Sequence, residues 1–456
     1  MTAQAIKTKP DRSQYLFSNH MLVSLIIPLI VEQLLAVLVG MADSIMIATV
    51  GESAVSGVSL VDSVMLLLIN IFAALATGGA VVAGQYLGQK NTKNACEAAD
   101  QLVWFSAISS VFIMAFMYLG KDFILHTVFG KIDADVMGHA NIYLLIVSAS
   151  IPFMAIYNAG AAIFRSMGNS KISMNVSIIM NIINVAGNAI LIYGLRRGTE
   201  GVAIPTLISR MVAAVLIIVL LCNENLPLHI NKSLHFRFRW NTIKKILNIG
   251  VPNGLENSMF QLGKIIVLSL VSTFGTFAIA ANAVSNVLAA FEVLPGMALS
   301  LAITTVIAQC VGAGDYEQVA YYTKKLMIVV YICTFVTVAI TLLSMPIVLD
   351  AYRLSPETAD ETMKIMIFHS VCACIIWPFS FALPATLRAA GDVRFSMTTS
   401  IISMWICRII FSYILGAAMG MGVFGIWVAM VMDWCVRMVC FVIRYKGTKW
   451  KGKAVI

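Results

Sequence analysis

Long apolar runs separated by short polar joints fill this chain of 456 residues, and they are too long for strands of a soluble domain. Runs of roughly 20 or more mostly apolar residues fall near 20–49, 54–83, 97–119, 137–164, 172–193 and 201–222. Six more follow near 244–271, 277–308, 317–345, 360–386, 395–416 and 422–444. Lipid offers no partner to a free backbone amide, so such runs cross it as helices. The pattern predicts an all-α integral membrane protein with twelve transmembrane helices.

The runs repeat. Pro28, Glu32, Gly51, Ala54, Gln85 and Gly88 return 224 residues later as Pro252, Glu256, Gly275, Ala278, Gln309 and Gly312. With a slip of one residue, Arg165, Gly168, Lys171, Ser173 and Met174 return as Arg388, Gly391, Arg394, Ser396 and Met397. Six spans per half make the halves parallel repeats about an axis along the membrane normal. The expected division is an N-lobe at 1–222, a polar linker at 223–243, and a C-lobe with a basic tail at 244–456.

Composition agrees, with 60% hydrophobic and 12% charged residues and a mean hydropathy of +0.89. Assigning loops alternately puts 21 Lys and Arg on one side, among them Lys7, Lys9, Arg12, Lys232 and Arg237, and 6 on the other, Lys131 included. Because Lys and Arg are retained in cytoplasmic loops, both termini are expected in the cytoplasm of a prokaryotic inner-membrane protein. This topology explains the net charge of +9 without a nucleic-acid partner, since no basic groove with interleaved aromatics appears. The linker reads as a positive-inside connector or as a segment resting on anionic lipid. The first apolar run is too long for a cleaved signal peptide. The nine cysteines and six histidines show no disulfide or metal spacing, and no phosphate loop or nucleophile motif is present. A motor-driven pump and an enzyme are therefore not expected, and no cofactor is called for. The 26 methionines suit either an adaptable cavity or ordinary core.

Twelve spans in two parallel halves without a motor domain point to a secondary transporter. The chain resembles the multidrug and toxic compound extrusion family over essentially its whole length. The resemblance rests on Pro28 and Asp43 in PLIVEQLLAVLVGMADSIMIATVG, on Gln85, Tyr86 and Gly88, on FRSMGNSK with its echo LRAAGDVR, and on NVAGNAILIYG followed by GVAIPTLIS. It implies two six-helix bundles in a V around a central cavity, and a monomeric antiporter exporting cationic small molecules in exchange for H⁺ or Na⁺. By the same resemblance Asp43 is the N-lobe ion-binding carboxylate, although an Asp at a helix end also serves as a cap. Many relatives carry Asn and Asp four residues apart in the fifth span; here they are Asn184 and Asn188, so the second acid is missing. Thr206 matches a family hydroxyl that joins this network. Asn181, Asn184 and Asn188 also suit helix–helix hydrogen bonds.

Charges inside a membrane are functional candidates by default. Glu32 and Glu256, each four residues after a Pro, read as cation or substrate sites or as structural locks. Lys264 is a candidate to neutralise Glu256 or Glu292 in an empty site. Arg408 and Asp433 are expected to pair, and Asp62 and Arg210 to form the equivalent pair in the first half. Trp377 and Phe379, in the tenth span with Pro378 and Pro384, are candidates to stack on planar cations. A lipid-linked oligosaccharide flippase of similar architecture is the alternative, and its cavity would carry several cations. Six intramembrane acids (Glu32, Asp43, Asp62, Glu256, Glu292, Asp433) against four bases (Arg210, Lys264, Arg408, Arg437) favour a cationic substrate.

Overall fold

The computed structural model describes residues 15–130, 132–230 and 238–456. Lys7, Lys9, Arg12, Lys131, Lys232 and Arg237, which entered the charge count, lie outside them.

The first half comprises α1 (Asn19–Ala48), α2 (Glu52–Gly88), α3 (Thr92–Leu119), the single turn α4 (Lys121–Phe123), α5 (Ala134–Ser148), α6 (Ile151–Ser166), α7 (Ser170–Ala189) and α8 (Glu200–Leu221). The second comprises α9 (Trp240–Ser272), α10 (Thr276–Gly312), α11 (Tyr316–Ala351), α12 (Pro356–Ile375), α13 (Leu383–Ala389), α14 (Val393–Ser403) and α15 (Gly422–Lys446). Short polar residues start these helices. The side chains of Ser18, Asn91, Asp315 and Ser355 accept from amides of the first turns they cap. Gly51 and Gly275, related by the repeat, take φ of 143° and 98° at the joints before α2 and α10, where a side chain would be strained.

Nine of the helices are long and apolar enough to cross a membrane, among the described residues. Two bent pairs bring the number to eleven: α5 with α6 at 48°, and α12 with α13 at 58°. Each was expected as one span, at 137–164 and 360–386. Pro152 and Pro378 near the breaks each remove a backbone donor, which explains the bends. The twelfth span is α9, which is too polar to pass on composition because Asn253, Glu256, Asn257, Gln261 and Lys264 interrupt it. Asn253 is buried and Glu256, Asn257 and Gln261 are half-buried, whereas Leu255, Leu262 and Ile265 of the same helix are exposed.

The α9–α2 contact is close. A Cβ on Gly78 would lie 2.6 Å from the Ile246 carbonyl oxygen, and one on Gly250 would lie 3.1 Å from the Leu75 Cα. The helices therefore cross backbone to backbone, as small residues permit where lipid gives no hydrophobic drive to association. The flanks of the linker, 223–230 and 238–239, dock on the first half. The Arg239 amide donates to Gln101 at 3.0 Å, and the Arg239 guanidinium lies 3.3 Å from Glu97. Helix α9 starts at Trp240, four residues earlier than expected.

At the end of the bundle where α1 begins, the halves are sealed by a symmetric contact. Gln85 donates to the Ala389 carbonyl at 2.9 Å, and its repeat mate Gln309 donates to the Ser166 carbonyl at 2.7 Å. The α1 approach is held too, since the Phe17 amide donates to Tyr322 Oη at 2.9 Å. The C-terminal tail crosses this seal. Lys453 bonds Asp392 at 2.6 Å, and the Val455 amide donates to Gln85 at 3.0 Å. Asp392 is buried, which would raise its pKa, but hydrogen bonds from Arg444 and Lys453 outweigh burial and hold the carboxyl below its usual range. Toward the other end the halves diverge into the open V, and Val37, Leu38, Met41 and Ile45 of α1 are exposed.

Candidate functional site

In the first bundle, α1 carries Asp43 about one turn before its end at Ala48. Asn188 on α7 donates to Asp43 at 2.6 Å, and Asn184, one turn earlier, donates to Thr206 of α8 at 3.1 Å. Thr206 in turn donates to the Val202 carbonyl, which fixes its hydroxyl. The four residues taken from the sequence thus form two bonded pairs on three neighbouring helices. Asn188 is fully buried, yet Asn188 Oδ1 and Asn184 Oδ1 have no hydrogen-bond partner. Two orphaned acceptors in a buried site are costly unless a donor or a cation arrives.

The expected Asp62–Arg210 ion pair does not form. Asp62 accepts from Tyr143 of α5 at 2.9 Å, and Arg210 donates to Ser150 at 2.8 Å, at the break between α5 and α6. The bend presents the Ser150 hydroxyl to Arg210, so the guanidinium is satisfied without direct contact to a carboxylate.

Glu32 and Glu256 sit in equivalent locks. Arg165 lies 3.5 Å from Glu32, which also accepts from Ser173 at 2.9 Å, and Arg388 lies 3.7 Å from Glu256. The repeat relates acid to acid and base to base. These contacts tie each helix bearing a proline to the end of α6 or α13 within its own bundle. They place neither acid next to Asp43, and the expected role of Lys264 as neutraliser of Glu256 is corrected, because Arg388 holds that position.

In the second bundle Glu292 on α10 is fully buried. His369 Nδ1 of α12 lies 2.8 Å from one carboxylate oxygen, and Ser370 donates to the other at 2.6 Å. The imidazole is set edge-on against Trp427 and Trp434, with ring centroids 5.4 and 5.3 Å away. Lys264 is therefore not the partner of Glu292 either; its ammonium lies over the Phe260 ring at 5.1 Å. The expected Arg408–Asp433 pair is also replaced. Asp433 pairs with Arg437 at 3.1 Å, four residues along the same helix, and accepts from Ser403. Arg408 stacks on Phe260 at 5.2 Å and its Nε has no partner. A π-helical stretch over Met404–Ile410 re-aims this side chain, which no periodicity argument anticipates.

Trp377 does not present a free face. Its ring stacks on Phe381 at 5.3 Å, and a Cβ on Gly296 of α10 would lie 2.2 Å from it. Phe379 packs edge-on against Tyr331. Sequence reasoning passed over Tyr143 and His369, and it counted Arg437 among the intramembrane bases without naming it as the partner of Asp433. It passed over Arg165 and Arg388 as partners although both stood in quoted motifs; applying the repeat to Glu32 and Glu256 would have matched them.

Two parallel six-helix bundles forming a V, sealed at one end and carrying a half-buried carboxylate among amide and hydroxyl side chains in the first lobe, define a transporter of small molecules. The comparisons give the family. Residues 28–190 and 252–414 each match the MatE model, one match per half, and the chain belongs to the MatE family of multidrug and toxic compound extrusion transporters. It is 28% identical over 99% of its length to "Uncharacterized transporter YisQ" of Bacillus subtilis, covering 98% of that relative. To "Probable multidrug resistance protein NorM" of Thermotoga maritima it is 26% identical, with 95% of this chain and 94% of the relative covered. A solved structure described as the outward-facing conformation of a multidrug resistance MATE family transporter superposes with a TM-score of 0.88 at 21% identity, over 94% and 96% of the two chains.

Proposed function

We propose that the chain is a secondary antiporter that exports cationic drugs or toxic organic metabolites in exchange for H⁺ or Na⁺. The observation that carries this is Asp43, bonded to Asn188 at 2.6 Å beside two unpartnered amide oxygens, at the wide end of the V. A carboxylate with spare oxygen acceptors takes up a proton or a small cation, and bound charge on Asp43 competes with a cationic substrate for the same electrostatic stabilisation. Alternating access follows if occupancy of Asp43 shifts the balance between closure at the sealed end and closure at the open end.

The excess of Lys and Arg at the sealed end supports a reading in which that end, with both termini, faces the cytoplasm and the open V faces the outside of an inner membrane. The names of the relatives support a multidrug substrate range. A flippase is not favoured, because both halves match the MatE model.

The test is ethidium efflux from proteoliposomes containing the full chain, with pH and Na⁺ gradients imposed separately. One gradient should drive efflux, and Asp43→Asn should abolish it while the protein keeps its gel-filtration profile. Efflux that ignores both gradients, or survives Asp43→Asn, overturns the reading.

A further inference from the structure

We propose that the second bundle holds an anion site built from Lys264, Arg408 and Arg437 around the Phe260 ring, and that it takes the carboxylate of a transported zwitterion. This rests on the reading of the chain as an exporter, whose substrate class it narrows.

Three cations converge on one ring. The Lys264 ammonium of α9 lies 5.1 Å from the Phe260 centroid, the Arg408 guanidinium of the π-helical stretch 5.2 Å, and the Arg437 guanidinium of α15 5.5 Å. The elements that carry them pack closely. A Cβ on Gly263 of α9 would lie 2.2 Å from the Met404 side chain at the start of the π-helical stretch, and Arg437 also lies over the Phe381 ring, which meets Phe260 edge-on at 6.2 Å.

The charges of this cluster do not balance. Asp433 is the one acid bonded within it; Oδ1 is taken by Arg437 and Ser403, and Oδ2 has no partner. Lys264 and Arg408 form no ion pair among the described residues. Arg408 is only 8% exposed, and its Nε is an orphaned donor. Of the other acids in this bundle's interior, Glu256 is held by Arg388, and Glu292 by His369 and Ser370. Three bases against one acid leave two positive charges in excess. A ring face offsets only part of the cost of burying cations, so the cluster lacks an anion with oxygen acceptors. A carboxylate fits, because a guanidinium with a free donor and an ammonium beside it match its two oxygens. The Phe260 and Phe381 rings suit an aromatic frame behind it.

Lys264 is the exposed member of the three. It stands about 12 Å along α9 from the end at Ser272, where an ammonium faces the water of the V and not hydrocarbon. Lys264 and Asp43 are equally far from the sealed-end starts of α9 and α1, about 36 Å along an ideal helix. In the first bundle the equivalent helices α1, α7 and α8 bring together Asp43, Asn188, Asn184 and Thr206, with no base bonded to them. The two lobes thus offer opposite charges at one depth, and a molecule bearing a positive group and a carboxylate meets both.

The test uses two dyes on one planar cationic frame: rhodamine 110, with a free carboxylate, and rhodamine 123, its methyl ester. Binding to the full chain in detergent is read by fluorescence anisotropy. A charge-assisted hydrogen bond from a desolvated guanidinium is worth at least about tenfold in affinity, and rhodamine 110 should bind tighter by that factor. Lys264→Gln and Arg408→Gln should each remove this preference without weakening rhodamine 123. Lys364→Gln, which removes a cation stacked on Phe424 elsewhere in the bundle, should bind both dyes as the parent does.

Equal affinity for the two dyes in the parent, or a preference that persists in both Lys264→Gln and Arg408→Gln, overturns the inference. So does its loss in Lys364→Gln, which would reflect overall charge. Displacement of rhodamine 110 by phosphatidylglycerol in the micelle but not by benzoate would assign the cluster to a lipid headgroup and also overturn it. If Arg408→Gln fails to fold, the exposed Lys264 decides alone. Efflux that ignores both gradients, with the dye preference present and lost in Lys264→Gln, sinks the antiport reading and leaves the anion site standing.

Discussion

Gly312 offers a direct handle on the seal between the bundles. A Cβ added there would lie 1.9 Å from the backbone oxygen of Gln85, and at the repeat-related Gly88 it would lie 2.0 Å from that of Gln309. Ordinary contact needs roughly 3.4–4 Å, so Gly312→Ala must push α10 and α2 apart by about 1.5 Å at their ends. The clash is with backbone and no rotamer change relieves it. A displacement of that size carries the Gln85–Ala389 and Gln309–Ser166 hydrogen bonds, at 2.9 and 2.7 Å, beyond bonding range. At about 1 kcal/mol each, their loss shifts the balance away from the sealed state by about 2 kcal/mol, or roughly 30-fold. Cys310, two residues before Gly312, is fully buried and reports the change. N-ethylmaleimide labelling of the Cys310 peptide, read by mass spectrometry, should rise by at least tenfold in Gly312→Ala. Gly138→Ala, where nothing lies within 4 Å of the added Cβ, should label as the parent does. Parental labelling in Gly312→Ala, with parental efflux, would refute the assignment of this contact as the closing element.

Two further outcomes are expected. Arg437→Leu leaves Asp433 fully buried without its ion partner, which costs about 3–5 kcal/mol, whereas Arg408→Leu removes only a stacked cation. Detergent melting curves should therefore fall far more for Arg437→Leu, and equal falls would contradict the observed pairing. Because Asp392 has a lowered pKa, its contribution to docking the tail is present above the ordinary carboxylate range and disappears as pH falls through its lowered value. Trypsin should leave the tail intact at pH 7 in the parent and cut it in Asp392→Asn; identical digestion would remove Asp392 from the latch.

The Asp43 cluster was the most legible part of the candidate site. Asp43, Asn184, Asn188 and Thr206 stood out in the sequence and lie together in the fold. Ion pairs were the least legible. Arg408 and Asp433 share a plausible depth, but a π-helical stretch turns Arg408 onto Phe260 and an i,i+4 neighbour takes Asp433. Depth along a helix is readable from residue counts, whereas the direction in which a side chain leaves an irregular turn is not.

The sequence by itself determined the twelve spans, because lipid requires apolar length, and the duplication, because shared Pro, Gly and Gln positions survive in register. The tertiary structure alone decided which helices touch. Gln85 reaches Ala389 and Gln309 reaches Ser166 across the two halves, while Asp62 meets Tyr143 and Arg210 meets Ser150 instead of each other. Contacts between distant segments depend on helix bends and on glycine-to-backbone crossings. Small changes there redirect long side chains by several ångströms, which local pattern does not encode.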